Sequence, residues 1–153
     1  MREFTLGCAA ALLALPLLAL PAAGWDLVKQ DRAVITSQKD GRYLLSLSCQ
    51  RGNRDLIFTL SDQSLKGDEL QGVNAVMMWI RALDGRTDKW SIDTFAEGPA
   101  LSGRIAVSRQ TLDFFRDAES LEVEDIRARR VLFRSGMKGT GAARIAFAER
   151  CGL

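Results

Sequence analysis

The amino-acid sequence predicts an α+β fold: a mainly antiparallel β-sheet or small β-sandwich with two helices, one of them C-terminal and tethered by a disulfide. Three observations lead there. Apolar residues alternate in short runs through residues 34–60. An Asp84-Gly85 pair stands between two apolar segments. Two cysteines, Cys49 and Cys151, bracket most of the patterned region.

The chain opens with a segment of a different kind. Arg2 supplies a positive start, Leu6 to Leu20 is almost wholly Leu and Ala, and Pro21-Ala22-Ala23-Gly24 supplies small residues. This reads as a secretory signal peptide over residues 1–24, cut after Gly24, with Ala23 as the second choice. A spanning helix needs about 20 apolar residues, and Pro16 and Pro21 interrupt a run already shorter than that. Cys8 precedes most of the apolar run, whereas the modified cysteine of a lipoprotein follows it. The rest, residues 25–153, is long enough for one globular domain.

Arginine outnumbers lysine by sixteen to five, a bias that suits a GC-rich bacterial genome and makes the expected compartment the periplasm. Once the leader is removed, two cysteines remain in an oxidising compartment, and they most simply pair with each other. A mixed disulfide with a partner is the alternative. A redox C-x-x-C centre is excluded by the spacing. Net charge is +2, too balanced for the concentrated basic footprint of a nucleic-acid binder.

Taken in order, Val34-Ile35-Thr36 is a short strand and Lys39-Asp40-Gly41 offers a turn. Tyr43, Leu45, Leu47 and Cys49 fall on one face of the next strand, which puts Cys49 toward the core. Leu56, Phe58 and Leu60 repeat the pattern. Residues 61–74 are polar, carry Gly67 and Gly72, and read as a long exposed loop. Ala75 to Leu83 is apolar on both faces, as a central strand is, and Asp84-Gly85 fits a two-residue type I′ turn into Arg86–Asp93. That register sets Trp79 opposite Trp90, Met77 opposite Ile92 and Arg81 opposite Asp88.

Residues 95–102 connect to a short strand at 103–107, and Ser108 caps a helix over 109–118 with Leu112 and Phe115 inward. A second hairpin follows, Leu121–Asp125 with Arg130–Ser135, placing Leu121 and Val123 against Val131 and Phe133, with Glu122 and Glu124 outside near Arg130 and Arg134. Gly139-Thr140-Gly141 opens the last helix, with Thr140 as cap and Ile145, Phe147 and Ala148 as contacts. It ends at Cys151, with Gly152 as the stop.

The chain has no histidine, which removes Ser-His-Asp and Cys-His nucleophile systems and His-ligated metal sites. No catalytic, cofactor-binding or metal-ligating residue is assigned. Ser135 and Lys138 match S-x-x-K, but the pair falls at the end of a strand and not at the start of a helix, so a structural turn is the better reading. The amides at 139–141 suit an anion, though ordinary capping explains them. Asp84 and Asp88 flank a hairpin tip without a calcium-loop pattern. Trp79 and Trp90 read as core residues. Arg127, Arg129, Arg130 and Arg134 form a patch able to dock an anionic partner; with Glu122 and Glu124 as counter-charges, the same residues read as a solvated hairpin.

The order of features has a familiar outline: Trp25 at the mature start, a strand ending in Cys49, the Asp84-Gly85 turn, Trp90-Ser91-Ile92-Asp93, Phe133 leading to Ser135-Gly136, and a final helix ending in Cys151. It resembles the periplasmic type VI secretion-associated proteins of the VasI/TagO kind. The terminal Cys151-Gly152-Leu153 differs in lacking a tryptophan. The resemblance implies an accessory envelope protein acting through protein contacts, without catalysis or cofactor. The expectation is therefore a non-enzymatic periplasmic accessory or binding protein with a protein partner in the envelope, no nucleic acid and no membrane span after signal removal. A small cell-wall or envelope hydrolase using carboxylates or Ser135 and Lys138 is the second reading. A periplasmic inhibitor or small-ligand-binding module is the third. The oligomeric state is left open.

Overall fold

A computed structural model of the chain describes residues 24–66 and 68–153. The expected leader therefore lies outside the described residues except for Gly24, as does the loop glycine Gly67. Among the described residues the chain forms nine strands and two α-helices: β1 (Asp26–Lys29), β2 (Ala33–Asp40), β3 (Tyr43–Gln50), β4 (Asp55–Asp62), β5 (Ala75–Ala82), β6 (Thr87–Glu97), β7 (Ala100–Ala106), α1 (Arg109–Asp117), β8 (Ala118–Asp125), β9 (Arg130–Gly136) and α2 (Thr140–Cys151). The strands make one antiparallel sheet in the order β1-β2-β3-β4-β7-β6-β5-β8-β9. The expected mainly antiparallel α+β architecture is the one observed.

Strands β1–β4 form a wall, and alternation is plainest in β2–β4. Val34 and Thr36, then Tyr43, Leu45, Leu47 and Cys49, then Leu56, Phe58 and Leu60 all point inward and are buried. Their neighbours Ser46, Ser48, Ile57 and Thr59 line the outer face. The hairpin between β2 and β3 turns on Gly41-Arg42, with Asp40 paired to Tyr43 and Gly41 at φ +55°, so the turn falls later than expected.

β6 bends the sheet. Its first half, Thr87–Asp93, pairs with β5, and its last four residues, Thr94–Glu97, pair with β7. The sheet curls until β9 nears β2, where the Asp40 carboxylate accepts the Arg134 amide at 3.0 Å. One apolar cluster fills the interior, with Phe58, Met78, Ile80, Phe115, Phe133 and Phe147 among its fully buried members.

The β5–β6 hairpin corrects the expected register by one residue. Ala82 and Arg86 close the turn, the Ala82 amide donating to Arg86 O at 2.9 Å, so the loop holds three residues, Leu83-Asp84-Gly85. Gly85 takes the left-handed position at φ +84°, the usual ending of a three-residue hairpin loop. Asp84 steadies it, accepting the Arg86 amide at 3.1 Å and its Nε at 2.7 Å. Trp90 therefore faces Met78, Ile92 faces Val76, and Thr87 faces Arg81. Trp79 turns to the outer face and donates its indole N–H to Glu124 at 3.0 Å.

Three further expectations change. Residues 61–74 are not wholly exposed, because β4 runs to Asp62 and Leu70 and Val73 are buried. A bulge at Val123/Glu124 pairs Val131 with Glu124 and Leu121 with Ser135, while Val123 and Phe133 pair as expected. Gly139, not Thr140, is the N-cap of α2, in a left-handed conformation at φ +98°. A Cβ there would lie 3.0 Å from Trp25 O, so close packing as well as φ selects glycine. Thr140 is the first helical residue, buried, its hydroxyl donating to Met137 O at 2.7 Å.

Both helices otherwise start and stop as the sequence predicts. Ser108 and Thr111 form a reciprocal capping box, and Leu112 and Phe115 face inward. Gly152 ends α2 in a left-handed conformation, its amide bonding Ala148 O at 3.2 Å. Ala143, Ala146 and Phe147 make the buried face of α2, so of the three expected contacts Phe147 is buried, Ala148 is half-buried and Ile145 points outward. Cys49 and Cys151 are disulfide-bonded, their Cα atoms 6.1 Å apart across 102 residues of sequence.

Candidate functional site

The disulfide is the first expected feature to be placed. It joins the end of β3 to the last residue of α2, and both cysteines are buried. In the chain-entropy model, closing a loop of this length contributes up to about 4–5 kcal/mol. The helix is held to the wall a second time, where Arg150 donates to Gln30 O at 3.3 Å.

The arginine patch is gathered by the β8–β9 hairpin, but most of its charge is spent within the protein. Arg134 pairs with Glu122 at 2.9 Å and Arg129 with Glu124 at 3.8 Å. Arg130 reaches the other way, donating to Glu69 O at 2.6 Å. Arg127 remains exposed on a turn whose amides at Arg127 and Ala128 are held by the Asp125 carboxylate, at 2.9 and 3.2 Å. Glu122 and Glu124 act as the counter-charges the sequence pattern called for.

The remaining candidates separate. Ser135 donates to Gly136 O at 2.9 Å, and no hydrogen bond joins it to Lys138 among the described residues. The start of α2 is covered by the main chain of Trp25, which leaves its amides little access to an anion. Asp84 is held by Arg86, and hydrogen bonding to that guanidinium pulls its carboxyl below the ordinary range. Asp88 accepts the Lys89 amide and the Trp90 indole N–H, both at 2.9 Å. Among the described residues no group of three or more Cys, Asp or Glu side chains is placed to hold a metal ion, and no helix is long and apolar enough to cross a membrane.

Two constellations escaped the sequence reading. Arg42 lies 3.1 Å from Glu69, 3.5 Å from Asp62 and 3.6 Å from Asp68, and donates to the Tyr43 hydroxyl at 3.0 Å. Tyr43 in turn donates to Glu69 at 2.8 Å, and burial pushes its phenol above its ordinary range. The cluster clamps Asp68 and Glu69 against the wall. It joins residues up to 27 positions apart through side chains that carry no periodic signal.

The second is an aromatic stack below the bend of β6. Phe115 lies edge-on to Trp25, with ring centres 5.7 Å apart, and stacks on Trp90 at 5.8 Å. Trp25 is pinned further by its amide to Lys138 O at 2.8 Å and its indole to Gly136 O at 2.9 Å. Above Trp90, between β6 and the end of β7, lies a hollow of about 350 Å³ walled by Asp88, Lys89, Ser91, Ala106 and Thr111 over a floor of Trp90 and Ile105. A second hollow of about 540 Å³ shares Asp88 and Thr111 with it and continues between the β5–β6 tip and α1.

Comparison with known protein families, curated proteins and solved structures finds no match.

Proposed function

We propose that this chain is a non-enzymatic accessory domain of the bacterial envelope, exported to the periplasm by residues 1–24 and working through contact with another protein. The observation that carries the reading is the Cys49–Cys151 disulfide, which clamps the last helix to an early strand and suits a protein that folds in an oxidising compartment. The arrangement of the candidate catalytic groups agrees with it. Ser135 and Lys138 are not joined, and the Asp84 and Asp88 carboxylates are engaged by their own hairpin. The resemblance to type VI secretion-associated proteins of the VasI/TagO kind narrows the proposal to an accessory of a secretion apparatus.

Affinity capture from envelope extract tests it. The exported protein should begin at Trp25 or Gly24, have a mass two hydrogens below the dithiol form, and retain a specific envelope protein. A chain that recovers no partner but cleaves cell-wall material, and loses that activity on Ser135→Ala or Lys138→Ala, would instead be the hydrolase.

A further inference from the structure

The long strand β6 has a neighbour on each side only over part of its length. Alternate residues of an antiparallel strand direct their main-chain groups to opposite sides. The Thr94 amide donates to Asn74 O at 2.8 Å, and Arg86 O accepts from Ala82, so the even-numbered residues of β6 face β5. Lys89, Ser91 and Asp93 therefore face the other way, toward β7. But β7 pairs with β6 only as far as Thr94–Gly103, a pair held by the flanking main-chain groups of Asp93 and Arg104, and beyond it Ile105-Ala106 is paired with β4 alone. By the same alternation, Arg104 and Ala106 turn their main-chain groups back toward β6.

The two strands thus part beyond Gly103 and leave a seam edged on both sides by strand backbone. Gly103 sits at its closed end, where a Cβ would come within 2.6 Å of Asp93 O. The 350 Å³ hollow occupies the opening, and the first turn of α1 stops its far end at Thr111. Asp88 occupies the Lys89 amide. Ser91 has no such cap, and its side is exposed.

We propose that this seam accepts one extended segment of a partner protein as an inserted strand, pairing with Ser91 on one side and Ala106 on the other. The inference rests on the accessory reading above and gives it a surface. Unpaired strand edges are templates for added strands, and main-chain hydrogen bonds supply sequence-tolerant affinity. The geometry also selects the occupant. A strand that pairs on both sides must have both edges free, and every described strand of this chain already has a neighbour. A second folded copy offering a sheet edge does not meet that condition, whereas an unfolded segment does. Its inward side chains would rest on Trp90 and Ile105, both buried and apolar, so the segment alternates apolar and polar residues.

The test uses the oxidised domain and a capped pentapeptide, Thr-Val-Thr-Val-Thr, at about 1 mM, the range of weak peptide affinities. Amide shifts in an NMR titration should concentrate at Ser91 and Ala106, with exchange of the Ser91 amide slowed about 10-fold. A peptide with proline at the centre, lacking a donor, should leave them unmoved. Ala106→Trp, at an exposed position, should fill the opening and abolish binding with unchanged thermal unfolding; Ser91→Pro removes the seam donor without touching the β5 ladder and should do the same. Shifts elsewhere, none at all, or the same shifts produced by self-association would overturn the seam. Capture from envelope extract separates the two proposals. A partner held equally by Ala106→Trp removes the seam and leaves the accessory role, whereas peptide binding without any envelope partner removes the role and leaves the site.

Discussion

The wall β1–β4 and the bend between β7 and β6 are made of the same materials, yet one is closed and the other open. In the wall each strand lies against its neighbour over most of its length, the outer positions include Ser46, Ser48, Ile57 and Thr59, and α2 is bolted across it by Cys49–Cys151. At the bend, β6 outruns its pairing with β7, and the Trp90–Phe115–Trp25 stack and α1 lie beneath. Closure pairs the main-chain groups of the first region, whereas the Ser91 amide of the second faces away from β5 and has no β7 partner. Rigidity on one side and open hydrogen-bonding capacity on the other suit a scaffold that presents a docking edge.

The comparison breaks most sharply at the disulfide. Replacing Cys49 and Cys151 together by serine should lower stability by about 4 kcal/mol in the chain-entropy limit, read by denaturant unfolding, with the loss concentrated in α2 and the wall. A loss below about 1 kcal/mol would mean that apolar packing of Ala143, Ala146 and Phe147 holds the helix unaided.

Gly103→Ala comes next. The new methyl would meet Asp93 O and Ile92 Cγ2, each at 2.6 Å, and such overpacking costs about 1–3 kcal/mol. Thermal unfolding of that variant should fall while the β1–β4 amides keep their protection. Uniform loss would show that bend and wall unfold as one unit.

Ser108→Ala removes the cap of α1, at the far end of the seam, and should cost about 1 kcal/mol. The smallest effect belongs to the wall. Burial raises the Tyr43 phenol above its unfolded value of 10.0, so its contribution is fully present below that pH and is lost as pH rises through the folded value. Tyr43→Phe should flatten the alkaline limb of the stability profile; an unchanged limb would place the titration elsewhere.

The sequence disclosed whatever depends on local period and covalent bookkeeping. Alternation at Tyr43–Cys49 places Cys49 inside, Cys49 and Cys151 close the loop, and Ser108 starts α1 where its capping pattern says it should. What it misjudged depends on one residue of register. Asp84-Gly85 suits a two-residue turn or a three-residue loop, and only packing decides that Met78, not Trp79, faces Trp90. Thr140 looked like a cap because the competing demand, Trp25 pressed against Gly139, comes from 114 positions away. The arginine patch was legible as a cluster and as a charge-paired hairpin. The seam was not, since an unpaired edge is a property of strand lengths in three dimensions and leaves no residue signature.

Amide hydrogen exchange, resolved residue by residue along β6 in the unliganded protein, tests the open seam most directly. Trp90 and Ile92 donate toward β5 and should exchange slowly, whereas the Ser91 amide between them should exchange close to the unprotected rate. Equal protection at all three positions would mean that β6 is paired on both sides and that the domain has no such edge to offer.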